Sequence, residues 1–477
     1  MLMEQLSHKC QHALGQEEDT LLSRLSDMLG DYDPQFQEPL ARVREAASLV
    51  LMVLAVWEVV RRLAVRLMEE SLTVRAQQRE LWPICGRCRQ WLQSKGFQPR
   101  TLHTLFGVIC WRRRVGRCPK GCKGSRVAPL DQALGLVPHQ RTGAEVQWMG
   151  CLLAVFVPYE TARRLLRQLT GVERAAGTLW GWVQQVGQRA MVQLEGELGA
   201  LAAGEPPGVE PLTAELEALP LVIGADGVMV PFRPHPRTAK GKTRWREIKV
   251  AILARLGARL SHPGTRVSHL CQRRLVAVLG AIDDLAPRLW LEAVRQGVRT
   301  AMRVVWLSDG GRGLWSVFQC LFQAVRVTAI LDFYHAAQNL YKGASAWLDG
   351  RTRACQQWFA DLRHRLRHGH EQHVLAELAA LVEATHLPQS ARQTLTNVYT
   401  YLRTHEDHIH YEHFKAAGLP IGSGLVESAC KWLIQQRFKG VGMRWSEAGF
   451  NHLLHLRLAW VNQRFDSFFP DRVPSPN

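Results

Sequence analysis

Leu221-Val-Ile-Gly-Ala-Asp-Gly-Val-Met-Val-Pro231 is the stretch on which the reading of this chain turns. An apolar run this short, ending at Asp226-Gly227, reads as a buried strand whose carboxylate projects where the strand meets a hairpin. Val304-Val-Trp-Leu-Ser308 is built the same way and delivers Asp309 into Gly310-Gly-Arg-Gly-Leu314. Further strand-like runs at 247–256, 275–282 and 325–331, with a helical pattern over 285–296, predict a mixed sheet with interspersed helices. Asp before Gly by itself most often marks a turn. Two such carboxylates on separate strands, aimed at one spot, can bridge two hard divalent cations. A third stands in Ile421-Gly-Ser-Gly-Leu-Val-Glu-Ser428, where a loop and N-cap open a helix with Glu427 in its first turn. Alone, that glutamate would only complement the helix dipole. With Asp226 and Asp309 it completes the minimum set for two-metal phosphodiester chemistry.

The 477 residues hold 60 Lys plus Arg against 42 Asp plus Glu, a net charge of +18, and 47% are hydrophobic. That length exceeds one core, so several domains are expected. The basic balance calls for an anionic partner, and nucleic acid fits better than a membrane. The longest apolar stretch, 46–57, is far below the ~20 residues of a spanning helix, and reads as a buried amphipathic helix. The opening MLMEQLSHKC has no signal-peptide pattern, which predicts a reducing cytoplasm.

Residues 1–80 read as helical, with Leu21, Leu22, Leu25, Leu29 and then Leu49, Val53, Leu54, Trp57 at helical steps that suit packing or oligomerisation. The next module, 81–127, carries 11 Lys or Arg and no acidic residue between Trp82 and Arg126. Within it, Cys85-Gly-Arg-Cys88 and Cys118-Pro-Lys-Gly-Cys122 are separated by 29 residues, spacing that suits a tetrahedral structural zinc in a zinc ribbon. So small and charged a module has no core to fold it unaided. Cys110, between the pairs, reads as packed rather than ligating. Residues 128–203 return to helix, and 159–171 followed by 178–183 looks like a helix-turn-helix; an ordinary helical hairpin is equally open. A linker is expected at 204–217 from Gly204-Glu-Pro-Pro-Gly-Val-Glu-Pro211. After the sheet region, 218–335, come a helical stretch at 336–418, a completing segment with Glu427 at 419–465, and a disordered tail at 466–477. No internal repeat recurs at a fixed period.

Taken in order, these motifs resemble a family. Cys85-x-x-Cys88 with Cys118-x-x-x-Cys122, Pro129-Leu-Asp-Gln-Ala-Leu-Gly-Leu136, Asp226-Gly, Trp245-Arg-Glu-Ile-Lys249, Ser308-Asp309-Gly, Leu331-Asp-Phe-Tyr-His335, and Gly422-Ser-Gly-Leu-Val-Glu427 with Gly442-Met-Arg-Trp-Ser446 are similar to those of bacterial insertion-sequence DDE transposases, ISKra-type and Mutator-like. The resemblance covers about 82–460. It implies a multidomain α+β protein: a helical N-terminus, a zinc ribbon, a helix-turn-helix-like DNA-binding region, and an RNase H-like core interrupted by a helical insertion. It also implies Mg2+ (or Mn2+) as two ions on Asp226, Asp309 and Glu427, structural Zn2+ on Cys85, Cys88, Cys118 and Cys122, and double-stranded DNA as partner. A homodimer or higher assembly would hold two element ends together. Asp332 and His335 correspond to a supporting Asp-x-x-His element, and Asp332 in place of Asp309 is a rival second aspartate. DNA contacts are expected from Arg112, Arg113, Arg114, Arg246, Lys249, Lys431, Arg437, Arg444 and Trp445. Arg246 and Lys249 have a second reading, pairing with Glu247, and Trp445 a second reading as a core residue. Some DDE enzymes carry a Lys or Arg seven residues after the glutamate; here that position is Ile434, which shifts the role to Lys431 or Arg437.

Other chemistries fit less well. His405-Glu-Asp-His-Ile-His-Tyr-Glu-His413 lacks the His-Glu-x-x-His order of a zinc protease and reads as a solvated helix. Gly241-Lys-Thr243 lacks the upstream glycine of a P-loop, since position 236 is proline. Two competitors remain: a zinc-containing DNA-binding regulator or inactive transposase that does not cut, and a nuclease that cuts without joining.

Overall fold

In the computed structural model, residues 29–30, 33–78, 83–122, 126–234, 243–260, 266–322, 325–384 and 386–469 are described. The expected helical run at Leu21–Leu25 lies outside them. Two compact units form, one within Met1–Trp182 and the other within Val183–Pro470. The chain is α+β, with a mixed sheet. Among the described residues no helix is long and apolar enough to cross a membrane.

The first unit begins with α1 (Gln37–Arg44) and α2 (Leu49–Gln77), the latter capped by Ser48, whose hydroxyl accepts from Leu51 N. An antiparallel ribbon follows, β1 (Gln93–Thr104) and β2 (Gly107–Arg117), with an irregularity between Ser94 and Phe97. Too thin to make a core alone, it borrows one: Leu102, Ile109 and Trp111 pack against Val65, Met68, Leu72 and Ala76 of α2 and Leu130 of α3 (Pro129–Ala133). The other flank of α2 has no such cover. Leu49, Val53 and Trp57 are 75%, 57% and 55% exposed, so 46–57 is not the buried helix expected. Its sequence is apolar on all sides, and local periodicity does not reveal which side the ribbon takes. Helices α4 (Ala144–Phe156) and α5 (Tyr159–Thr170) follow, the latter ending at Gly171 in the left-handed conformation. The turn leads into α6 (Ala176–Ala202), which continues into the second unit.

The expected linker is fastened down instead. Beyond it lies only a short helix, α7 (Ala214–Glu217). Glu210 ion-pairs with Arg274 at 2.7 Å and with Arg464, which also holds Glu292 at 2.7 Å. The Pro-Gly composition set the backbone's stiffness, but a half-buried Glu210 among arginines decides that it docks.

The sheet has the order β5-β4-β3-β6-β7, formed by β3 (Leu221–Phe232), β4 (Arg244–Leu260), β5 (Arg266–Val278), β6 (Val304–Ser308) and β7 (Val327–Leu331). The first three are antiparallel neighbours, while β6 and β7 run parallel to β3. The third strand lies N-terminal to the expected 275–282. Its early half is polar on one side, and only its last residues, Leu275–Val278, are buried on both. Fully enclosed Val222, Ile223, Val305, Trp306 and Ile330 build the core beneath α8 (Ile282–Arg295) and α9 (Arg312–Phe322). Each such side chain contributes roughly 1.5–3 kcal/mol of transfer free energy.

After β7 come α10 (Phe333–Leu348), α11 (Arg353–Arg367), α12 (Glu371–Glu383), α13 (Gln389–Thr404) and α14 (Tyr411–Ala416). Leu362, Leu378, Leu395 and Leu402 of this helical stretch belong to the same buried cluster as the strands, so it shares the sheet's core. The chain then returns through α15 (Gly424–Ala429), a π-helical segment (Cys430–Gln435), α16 (Gln436–Phe438) and α17 (Glu447–Val461). The expected tail starts too early at 466, because Asp466–Phe468 forms a 3-10 turn and Phe469 is buried.

Candidate active site

The parallel pairing of β3 with β6 ends at Ala225 opposite Ser308, and the next residue on each strand is an aspartate. Asp226 is not at a strand end as expected: β3 runs on to Phe232, paired with β4 and, at its last residues, bridged to Trp445. The notch left where β6 stops is where the two carboxylates stand. Asp226 Oδ1 accepts from Gly227 N at 2.7 Å. Asp309 Oδ1 accepts from Gly311 N at 3.1 Å, and its carbonyl takes the Trp315 indole N–H at 2.7 Å, which fixes the turn into α9. Both aspartates are half-buried.

Asp332, at the end of β7, is fully buried. It N-caps α10, Oδ1 accepting from His335 N at 2.7 Å, while Oδ2 accepts from Ser423 N. Phe333 N donates to Ile421 O at 2.8 Å beside it. One oxygen therefore caps α10 while the other fastens the loop that launches α15. That helix exposes Glu427 in its first turn, 3.5 Å from the Ser423 hydroxyl. Gly224 lets it approach: a Cβ there would stand 2.9 Å from Leu425 Cδ1 and 3.4 Å from Val426 Cβ. Gly224 and Asp226 share one face of β3, so the missing side chain brings the glutamate's helix onto the face from which Asp226 projects.

The charges sense one another. Burial pushes the Asp226 carboxyl up, the Gly227 N–H pulls the other way, and nearby Asp309 and Glu427 add to the rise. His335 Nδ1 lies 3.2 Å from Asp332 Oδ1, a charge contact without good hydrogen-bond alignment. That contact raises the imidazole against the opposing effect of burial, with Asp309 and Asp226 contributing. Burial alone would raise Asp332, yet His335 and Ser423 hold it below the ordinary carboxylate range.

Among the described residues, only Cys85, Cys88, Cys118 and Cys122 bring metal-ligating atoms all within 4.8 Å of one another. This group can hold a metal ion such as zinc. Two turns build it: Arg89 N returns to Cys85 O, and Gly121 N to Cys118 O. Backbone N–H groups at Cys88 and Arg87 pull the Cys85 thiol down to about 6, whereas the neighbouring sulfurs push Cys122 up to about 12. Four such sulfurs cannot all ionise without a cation among them. Cys110 is exposed, not packed; strand alternation turns it away from the ribbon's core.

The expected DNA-contacting residues separate by burial. Arg112, Arg114, Lys431 and Arg444 are exposed. Arg113 is buried, bonded to Asp131 and to the carbonyls of Gln98 and Pro99, so it serves the fold. Arg437 is 1% exposed with its guanidinium 5.4 Å over Trp445, which takes it off any surface DNA can reach. Trp445 in turn donates to Phe438 O at 2.9 Å and packs on Phe438 and Phe450, the core reading. Lys249 pairs with Glu247 at 2.7 Å, and Arg246 with Glu447 at 2.8 Å.

Sequence reasoning missed Tyr401. Its ring from α13 stands 1.9 Å from where a Cβ at Gly310 would be, so that glycine exists to admit it. Burial, then the Asp309 charge, pushes its phenol far up. The double glycine after Asp309 was the signal available. The His405–His413 segment is only partly solvated: Asp407, Glu412 and His413 are exposed, but the His405 and His408 rings lie 4.6 Å from Trp315, and Tyr411 is buried against Phe333. Burial drops His405 to about 4.

No known family model matches this chain, and no curated protein does. Among solved structures, the Drosophila P element transposase strand transfer complex is similar at a TM-score of 0.31 and 9% identity, covering 70% of this chain and 95% of that one. A likeness so slight carries no argument about either fold or activity.

Proposed function

We propose that this protein is a DNA transposase with an RNase H-like core, using Asp226, Asp309 and Glu427 for metal-dependent cutting and joining of DNA. The observation that carries the reading is the notch beside β6, where Asp226 within β3 neighbours Asp309 just past the end of β6 and Gly224 admits the helix bearing Glu427. The ordered motif resemblance and the net charge of +18 point the same way.

The donor set fits hard divalent cations, being carboxylate oxygen alone, half-buried to exposed, with Asp226 raised by its two acidic neighbours. Two ions ~3.5–4 Å apart do not need all three carboxylates within reach of one ion. When bound, Mg2+ would supply Lewis-acid activation and neutralise phosphate charge. The chain's own residues position: Asp332 ties β7 to the loop before α15, and His335 sets an imidazole of raised proton affinity beside the acidic notch. Asp309 rather than Asp332 is the second carboxylate of this reading: Asp309 is half-buried beside the notch, whereas Asp332 is fully buried with a backbone N–H on each oxygen. Lys431, exposed four residues after Glu427, takes the strand-transfer role in preference to buried Arg437. Trp245, 55% exposed under Lys439, is better placed than Trp445 to stack on an unpaired base.

The test is a gel assay on a labelled duplex from the DNA flanking this chain's own coding sequence, with Mg2+ and then EDTA. Cleavage to a free 3'-hydroxyl and its joining to target DNA should vanish in Asp226→Ala while binding persists. Cleavage retained by that variant removes Asp226 from the mechanism; binding without cleavage in wild type favours a non-catalytic regulator.

A further inference from the structure

Helix α2 is exposed and apolar on most sides over 49–57, and beyond that it carries two apolar stripes, of which only one is covered among the described residues. Val65, Met68, Leu72 and Ala76, drifting at steps of three and four, pack on the β1–β2 ribbon. On another side Val53, Val60, Leu67 and Val74 recur at a constant interval of seven and are 57%, 49%, 58% and 55% exposed. Leu67 stands about 200° around the helix from Val65, so the ribbon cannot reach this second stripe. Leu49 precedes it by four residues, and Val56 and Leu63 fall between its members at steps of three and four.

We propose that α2 pairs with α2 of a second copy of this chain as a parallel, two-stranded coiled coil. Val53, Val60, Leu67 and Val74 occupy the a positions, and Leu49, Val56, Leu63 and Glu70 the d positions. The period argues for this occupant. A stripe that packs on its own domain follows the natural 3.6-residue turn and drifts, as the ribbon-facing stripe does. A strict seven-residue repeat keeps its seam only against another supercoiling helix. It is sustained here over four heptads, along a helix of 29 residues, about 43 Å long. β-Branched residues at three of the four a positions, with leucine at two d positions, favour two strands over three or four. A two-fold axis along the seam then presents the same stripe to itself. An exposed apolar band of this extent marks an association site.

Glu70 is the one polar residue in the seam. In a parallel pair it meets its own copy, so two polar side chains share one d layer, which weakens the assembly relative to leucine. Replacing it with leucine should tighten association, an effect no partner of other sequence has reason to share.

The inference is independent of the proposed activity, and its test uses neither DNA nor cleavage. Sedimentation of the full chain under reducing conditions should give twice the 54.0 kDa chain mass at micromolar concentration. The double substitution Val60→Glu with Leu67→Glu should yield monomer with unchanged zinc content and circular dichroism, since both side chains are exposed. Glu70→Leu should lower the dissociation constant by about tenfold. On oxidation, Val74→Cys should cross-link into a dimer band that wild type lacks. In an antiparallel pair centred near Leu63 the two copies of residue 74 would lie roughly 33 Å apart. A monomeric wild type, or a dimer surviving the double substitution, overturns the proposal. A three- or four-chain mass overturns the two-stranded form. Absence of the cross-link, or no tightening by Glu70→Leu, overturns the parallel direction.

Discussion

The cysteine cluster and the carboxylate notch both carry metal-type side chains, but among the described residues only the cysteines stand within 4.8 Å of one another, and the two are built in opposite ways. Each cysteine pair comes from one tight turn, so half of the site is local; the ribbon's register, Gln93 opposite Arg117, then brings the turns together. The carboxylates lie 83 and 118 residues apart in sequence, and no turn joins any two of them. A parallel strand pair aligns the first two, and a buried aspartate with a missing Cβ brings in the third. On the proposed reading, an ion bound by the cysteines would help to fold their turns, whereas the notch is arranged by the fold before any ion binds.

That contrast can be broken most forcefully at the cysteines. Cys85→Ser should abolish zinc binding and melt the β1–β2 ribbon, since structural zinc in small modules contributes apparent free energies of about 10–16 kcal/mol. Zinc analysis and thermal unfolding of the purified variant would show it. A variant that keeps its ribbon without zinc would mean that α2 and Leu130 alone support the module.

At the notch the corresponding lever is a protein group rather than an ion. Asp332→Ala leaves the His335 and Ser423 N–H groups without their carboxylate, costing about 1–3 kcal/mol for each that stays buried and unpaired. The melting temperature should fall, and any cleavage activity should drop because Glu427 loses its anchor, even though Asp332 is no ligand in the proposed triad. Unchanged stability would show that the loop before α15 is held by other contacts.

The smallest effect concerns pH. His335 has its proton affinity raised above the usual 6.5 in the folded state, so its contribution is fully present below that value and fades as pH rises through the folded pKa. Asp332, held below 3.8, contributes above that value and loses its contribution as pH falls through its folded pKa. The stability difference between wild type and His335→Gln, followed by denaturant titration, should therefore be largest between about pH 4 and 6.5 and shrink toward pH 8. A flat difference would mean the imidazole is neutral beside Asp332.

Much of this was legible beforehand where the physics is local. Paired cysteines at turns, apolar runs ending in Asp-Gly, and the helix carrying Glu427 all follow from short-range preferences of neighbouring residues. The spacing of Val53, Val60, Leu67 and Val74 was equally available and went unread, because an apolar helix has several stripes and only burial shows which is taken. Arg113 and Arg437 looked like surface cations because composition cannot see Asp131 folding onto the first or the Trp445 ring turning back onto the second. His405 and His408 looked solvated for want of Trp315, which lies 90 and 93 residues before them.

By itself, then, the sequence determined the ligand types, the element types and the basic character of the chain, since these depend on side-chain chemistry and on neighbours within a turn or two. Tertiary structure alone decided that β6 stops one residue short of Asp309, that Asp332 spends both oxygens on backbone N–H groups, and that Tyr401 fills the space at Gly310. Those outcomes depend on strand register and on close packing between distant segments, which local preferences do not specify.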